Sequence, residues 1–195
     1  MTDAANTFLT PERARVLNGL GVLAISAVLV FAFFDQFVGG DLPCPLCILQ
    51  RVGFVGVGFG LALNLRFGPR PSHYGVAILS AVAGGDISVR QTLLHIVPGT
   101  GTYGEAFFGL HFYTWGVVLS CLIVVGCALL LLFDRQFEPS DSPPRAFGAF
   151  AFGAFGLVAL LTLANGVSTV LECGGGLCPD NPTHYLLLQD APPAP

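Results

Sequence analysis

The residues best suited to chemistry in this chain lie in one stretch, Asp41-Leu-Pro-Cys44-Pro-Leu-Cys47-Ile-Leu-Gln-Arg51. Thiols at Cys-x-x-Cys spacing can close a small disulfide ring or be opened by exchange, with the thiolate as nucleophile. Cys47 falls near the start of an expected helix, where the positive end of the helix dipole favours a thiolate. Arg51 follows Cys47 by one helical turn and Cys44 by two, so the three share a face. Its cation suits a thiolate or an anion forming on a bound electron acceptor, unless it snorkels to the headgroups. A second pair, Cys173-Gly-Gly-Gly-Leu-Cys178, is a mobile dithiol by its glycines, or else a staple for the tail. A structural disulfide or half of a metal site remain alternatives for Cys44 and Cys47. A metal site wants four ligands, however, and so small a ring constrains little of an unfolded chain. Redox exchange is the preferred reading, and no metal is expected.

The elements that must position these residues belong to a membrane. The chain is 53% hydrophobic and only 10% charged, with no lysine among its 195 residues, and its mean hydropathy is +0.74. Soluble domains carry about a quarter charged residues. The net charge of -4 rests on few groups, and nothing suggests nucleic acid.

Five apolar runs are expected to be helical spans, each near the ~20 residues that cross a bilayer. They are Val16 to Val38, Cys47 to Leu65, His73 or Tyr74 to Leu94, Phe107 to Phe133, and Ala146 to Leu171. The first is read as a span and not as a cleaved signal, because no small-x-small site follows it promptly. Gly56 and Gly60 in the second are spaced for close helix approach. The fold class is therefore an all-α membrane protein, a four-helix bundle core with a fifth C-terminal helix. Residues 1–135 form the redox core, 136–145 a cytoplasmic linker, and 146–195 the fifth helix with its cysteine-containing tail.

Arginines orient the spans. With the first end cytoplasmic, Arg13, Arg15, Arg66, Arg70, Arg135 and Arg145 all fall inside, six of the eight basic residues. Arg51 and Arg90 fall within or at the outer edge of spans, which is a clean positive-inside bias. Both cysteine pairs and the C-terminus then face the periplasmic or extracytoplasmic side. Arg90 and His95, near the outer end of the third span, offer donors at the depth of Arg51. Asp86 could instead neutralise Arg90, and His95 could be a plain interface residue. Cys121 and Cys127 share no helical face and read as buried small hydrophobes. Tyr113 and Trp115, with His111 a turn before the latter, read as interfacial anchors that could border a cofactor.

With these residues in view, the chain resembles the bacterial inner-membrane disulfide bond formation protein B family of quinone-linked thiol oxidases. The resemblance rests on Cys44-x-x-Cys47-Ile-Leu-Gln-Arg51, on Arg90-Gln-Thr-Leu-Leu-His95-x-x-Pro98, and on Gly109-Leu-His-Phe-Tyr-Thr-Trp-Gly116. It covers about residues 10 to 135. It implies a core that takes electrons from a periplasmic thioredoxin-fold dithiol protein and passes them to non-covalently bound ubiquinone or menaquinone. It also implies that Cys47 lies against the quinone, that Arg51 helps hold it, and that His95 assists. The family's second cysteine pair belongs in the outer loop between the third and fourth spans, and residues 96–108 have none. Cys173 and Cys178 are expected to take the shuttle role from after the added fifth span. Two alternatives stand. One is a quinone-type substrate reductase resembling vitamin K epoxide reductase, and the other a structural or transport protein with stable disulfides.

Overall fold

The computed structural model describes residues 9–138 and 148–189. Five long helices dominate: α1 (Pro11–Phe34), α2 (Pro45–Phe67), α3 (Pro71–His95), α4 (Phe112–Leu131) and α5 (Gly148–Cys173). A two-residue antiparallel hairpin, β1 (Ala106–Phe107) and β2 (Leu110–His111), precedes α4. Its turn places Phe108 and Gly109 at φ 49° and 79°, so the fourth helix starts later than the apolar run alone suggested. The expected linker over 136–145 falls mostly outside the described residues, as does Arg145. Gln136 belongs to the bundle, buried with its side chain against Tyr74.

Three helix starts follow from local chemistry. Pro11, Pro45 and Pro71 each occupy the first turn, where a missing N–H costs nothing. Thr10 caps α1 by accepting from Arg13 N. Cys44 itself caps α2, its sulfur accepting from Cys47 N at 3.1 Å. The Cys-Pro-Leu-Cys sequence is therefore a helix start as well as a dithiol.

Among the described residues, four helical segments are long and apolar enough to cross a membrane: Pro11–Gly39, Pro45–Phe67, Phe112–Leu131 and Gly148–Cys173. The sequence led us to expect five. The helix that falls short is α3, which carries Asp86, Arg90 and several small or polar residues. It packs between α2 and α4, so less of its surface needs to suit lipid. The other helices turn large apolar side chains outward, Leu122 at 63% and Leu160 at 62% exposure, which suits contact with acyl chains.

Glycines let α2 and α3 approach to backbone contact. A Cβ on Gly53 would lie 2.8 Å from Gly84 Cα, and one on Gly60 would lie 2.8 Å from the Ala77 nitrogen. Gly56 faces the Ser80 side chain on the same seam, as the small-xxx-small spacing anticipated. The phenylalanine-glycine repeat opening α5 works differently: Ala151, Ala154, Val158 and Leu161 are its buried positions, and Phe150 enters the notch at Gly19 of α1.

At one end of the bundle a buried amide and hydroxyl network ties four elements together. Asn64 donates to Asn18 at 2.9 Å, Asn18 donates to the Tyr74 hydroxyl at 2.7 Å, and Tyr74 donates to Gln136 at 2.8 Å. Arg66 and Arg70 flank this end, and both cysteine pairs sit at the other.

The seam yields a test. Gly53→Leu must part α2 from α3 and is expected to cost about 1–3 kcal/mol or more. Gly126→Leu on α4, with nothing within 4 Å among the described residues, should leave stability near parental. Thermal unfolding of both variants in detergent checks the contrast.

Candidate functional site

Cys44 and Cys47 are joined as a disulfide across the first turn of α2, with Cα atoms 4.9 Å apart. Cys44 is buried at 5% exposure, whereas Cys47 is half-buried and lines a cavity of about 500 Å³. Gln50, Arg51 and Phe54 of α2 continue one wall, and Leu29, Phe31 and Ala32 of α1 form another. Tyr103, Phe107, Tyr113 and Trp115 close the far side. The wall is apolar apart from a few converging polar groups, the usual make-up of a small-molecule site of this size. Phe31 and Phe107 are also 41% and 42% exposed at the bundle surface, so the cavity opens sideways between the helices.

Arg51 reaches the cavity with its guanidinium held from behind. Nη1 donates to Gln36 Oε1 at 2.6 Å, Nη2 donates to the Ala32 carbonyl at 3.0 Å, and the Phe33 ring lies 5.3 Å away. Gln36 sits in a π-helical turn, Asp35–Gly39, that ends α1. It is buried although Phe37 and Val38 beside it are exposed. Its amide nitrogen donates to Ser168 on α5 and to Tyr185 in the tail, each at 2.7 Å. One side chain thus links the cavity cation to the segment that holds the second cysteine pair.

That second pair, Cys173–Cys178, is also a disulfide, with Cα atoms 4.4 Å apart. Cys173 is buried and Cys178 half-buried beside a fully exposed Leu177. Gly174 and Gly175 have φ of 64° and 80°, the left-handed conformation that stops a helix. They are the C-terminal cap of α5, where the sequence left open a mobile dithiol or a staple for the tail. This pair does not line the cavity.

Two residues singled out in the sequence lie elsewhere. Arg90 is exposed on α3 and does not line the cavity. His95 is half-buried, its Nδ1 3.2 Å from the Gly101 carbonyl and its ring 5.4 Å from that of Tyr113, a cavity residue. Of the free cysteines, Cys127 is buried as expected, but Cys121 is exposed on the apolar outer surface of α4.

The residue next to Arg90 makes the inward contact instead. Gln91, 1% exposed, donates from Nε2 to Cys44 Sγ at 3.3 Å and lies 3.6 Å from Cys47 Sγ. Gln50 Nε2 donates to Gln91 Oε1 at 2.7 Å, so that amide is fixed with its N–H toward the sulfurs. One residue along an α-helix rotates a side chain by about 100°, which is why Gln91 faces in and Arg90 out. The signal that could have found it is an uncharged amide inside a membrane segment, where polar groups need partners.

Outside the helices, Tyr103 donates its hydroxyl to the Leu42 carbonyl and so ties the segment between α3 and β1 to the loop before Cys44. Burial, with the carboxylates of Glu172 and Asp41, pushes this phenol up to about 12, and it stays a donor throughout the physiological range.

Comparison with known proteins fits this geometry. The family model for disulfide bond formation protein DsbB matches residues 14–103. Disulfide bond formation protein B of Marinobacter nauticus is 32% identical over 165 residues, covering 66% of this chain and 96% of that protein. The chain belongs to the DsbB family. The protein of the same name from Aromatoleum aromaticum is 34% identical over 153 residues, 60% of this chain and 91% of its own length. That of Azoarcus sp. is 36% identical over a shorter 77 residues. No solved structure matches. The span matched by the DsbB model includes Cys44, Cys47, Gln91 and Arg51 and stops well before Cys173.

Hydrogen bonds to charged groups contribute about 1.5–3 kcal/mol. In the reduced protein, Gln91→Leu should therefore cut the thiolate fraction at Cys47 about ten-fold or more. Alkylation of Cys47 at a fixed neutral pH, followed by mass spectrometry, reads this directly, and parental alkylation would remove Gln91 from the site.

Proposed function

We propose that the chain is a membrane thiol–disulfide oxidase that accepts electrons from a periplasmic thioredoxin-fold dithiol protein and delivers them to ubiquinone or menaquinone. The observation that carries this is the disulfide-bonded Cys47 on the wall of an apolar cavity that also holds Arg51. Membership of the DsbB family supports the same reading.

The residues present fit a quinone. Its carbonyl oxygens need donors, and Arg51 keeps N–H groups beyond the two given to Gln36 and Ala32. Its ring and isoprenoid tail need apolar walls with a lateral way in from lipid, which Phe31, Phe107 and their neighbours offer. When bound, a quinone supplies a two-electron acceptor. The chain's residues do the rest. Gln91 stabilises thiolate on Cys44 and Cys47, Cys47 presents its sulfur to the cavity, and Arg51 offsets negative charge developing there. His95 steadies the site through Tyr113, while Arg90 lies at the outer headgroup level.

Upstream, a partner thiolate attacks Cys173–Cys178, and the resulting dithiol reduces Cys44–Cys47 by a second exchange. Topologically, all five helices cross the inner membrane, with α3 shielded by its neighbours. The N-terminus is cytoplasmic, and both pairs and the C-terminus are periplasmic. The domain reading is a core over 1–135, a cytoplasmic connection over 136–145, and α5 with its tail over 146–195. On this view the chain is a DsbB variant whose shuttle pair has moved behind an added helix.

Anaerobic mixing of the purified protein with a reduced thioredoxin-fold dithiol protein and a soluble quinone tests the function. Quinone absorbance should bleach with the parent and stay constant with Cys47→Ser. Replacing Cys173 and Cys178 together by Ala should stop oxidation of the dithiol protein while a small dithiol still drives the bleach. Full-rate oxidation by that double variant would end the shuttle assignment.

A further inference from the structure

Glu172 is the least explained side chain in the molecule. It is wholly buried, at 0% exposure, and neither carboxylate oxygen has a hydrogen-bond partner among the described residues. A buried carboxylate without donors costs several kcal/mol, and its place in the last turn of α5 sets it at the negative end of that helix. Burial of this kind inside a membrane segment marks a functional group by default. The cation whose field reaches it is Arg51, but no hydrogen bond joins the guanidinium to either carboxylate oxygen. Glu172 is therefore not one half of a formed structural ion pair.

Its location is specific in two directions. It precedes Cys173 of the second cysteine pair. Its charge also reaches Tyr103 as well as Arg51, and both of those line the cavity beside Cys47. The charged and titratable groups around this cluster come from every neighbouring element: Asp35 and Asp41 from the end of α1 and its loop, Arg51 from α2, Tyr103 from the segment between α3 and β1, and Tyr185 from the tail.

We infer that Glu172 carries a proton between the Cys173–Cys178 pair and the cavity at Cys47 and Arg51. The inference rests on the proposed electron path and deepens it. In that path one thiol of the reduced outer pair loses its proton to Glu172, and its thiolate attacks the Cys44–Cys47 bond. A mixed disulfide forms as that bond breaks, and the departing inner sulfur takes that proton from Glu172. The remaining outer thiol then deprotonates and attacks the mixed disulfide, re-forming Cys173–Cys178 and releasing the second inner thiol. Two electrons and two protons leave the outer pair and end on the inner one. Glu172 starts and finishes the sequence in the same state. Each proton that Glu172 accepts from an outer thiol it hands on to a departing inner sulfur, so the transfer is complete without a proton from solvent.

The test follows electrons at each pair separately. The oxidised protein is mixed with a reduced thioredoxin-fold dithiol protein, quenched in acid, alkylated and counted for free thiols by mass spectrometry. In Glu172→Gln, thiols at Cys173 and Cys178 should appear at the parental rate. Thiols at Cys44 and Cys47 should appear about a hundred-fold more slowly, within the range for loss of a general acid–base group. Glu172→Asp should recover part of that rate, and thermal stability of Glu172→Gln should equal or exceed the parent's, since a buried carboxylate has been removed. Equal rates at both pairs in Glu172→Gln would overturn the inference, as would a fall matched by lost stability and not relieved by Asp. A measurement on the parent alone stands beside these. Its time-resolved infrared difference spectrum during exchange should show a carboxylic acid C=O band that rises and decays, and traces without one overturn the proposal. A parent that reduces no quinone with any dithiol would instead defeat the underlying function while leaving the infrared and exchange results readable.

Discussion

A guanidinium set inside the apolar zone of a helical bundle is the constraint on which the rest of this structure depends. Arg51 cannot be left without acceptors at that depth, and the molecule meets the need with Gln36 and the Ala32 carbonyl. Gln36 can do this only because α1 ends in a wide π turn that rotates one amide inward beside the exposed Phe37 and Val38. The same amide binds Ser168 and Tyr185, so α5 and the tail are docked through the group that holds the cation. The cavity and the second cysteine pair share one anchor.

Around that anchor the bundle divides labour between packing and polarity. The glycine seam at Gly53 and Gly60 draws α3 against α2, and this closeness brings Gln91 within reach of both sulfurs of the Cys44–Cys47 pair. A helix spaced by larger residues would leave the dithiol facing only hydrocarbon. At the opposite end, the Asn18, Asn64, Tyr74 and Gln136 network fixes the helices in register. The redox end can then carry an open cavity without loosening the whole.

Much of this was legible in the sequence because it depends on local spacing. Cys44, Pro45 and Cys47 specify both a dithiol and a helix start, and Arg51 is placed on their face by helical period alone. Hydropathy located the helices to within a few residues. What stayed hidden depends on three-dimensional partners. Gln36 looked like an ordinary residue at the end of a span, since nothing in the sequence announces a π turn. Gln91 was passed over for Arg90 because charge draws attention in an apolar run, while a one-residue change of phase decides which side chain points inward. The glycines after Cys173 suggested looseness, yet two of them supply the left-handed residues that end α5. α3 was read as a span of lower apolarity, and the reason, that its neighbours cover it, lies in the packing.

The central claim is that the cavity beside Cys47 is where the electron acceptor sits. A photoreactive quinone analogue, cross-linked to the membrane-embedded protein and mapped by peptide mass spectrometry, tests this most directly. The account predicts labels on peptides containing residues 27–35, 42–54 and 103–119, competed away by unmodified quinone. Competable labelling confined to the far end of the bundle, near Asn18 and Asn64, would contradict it.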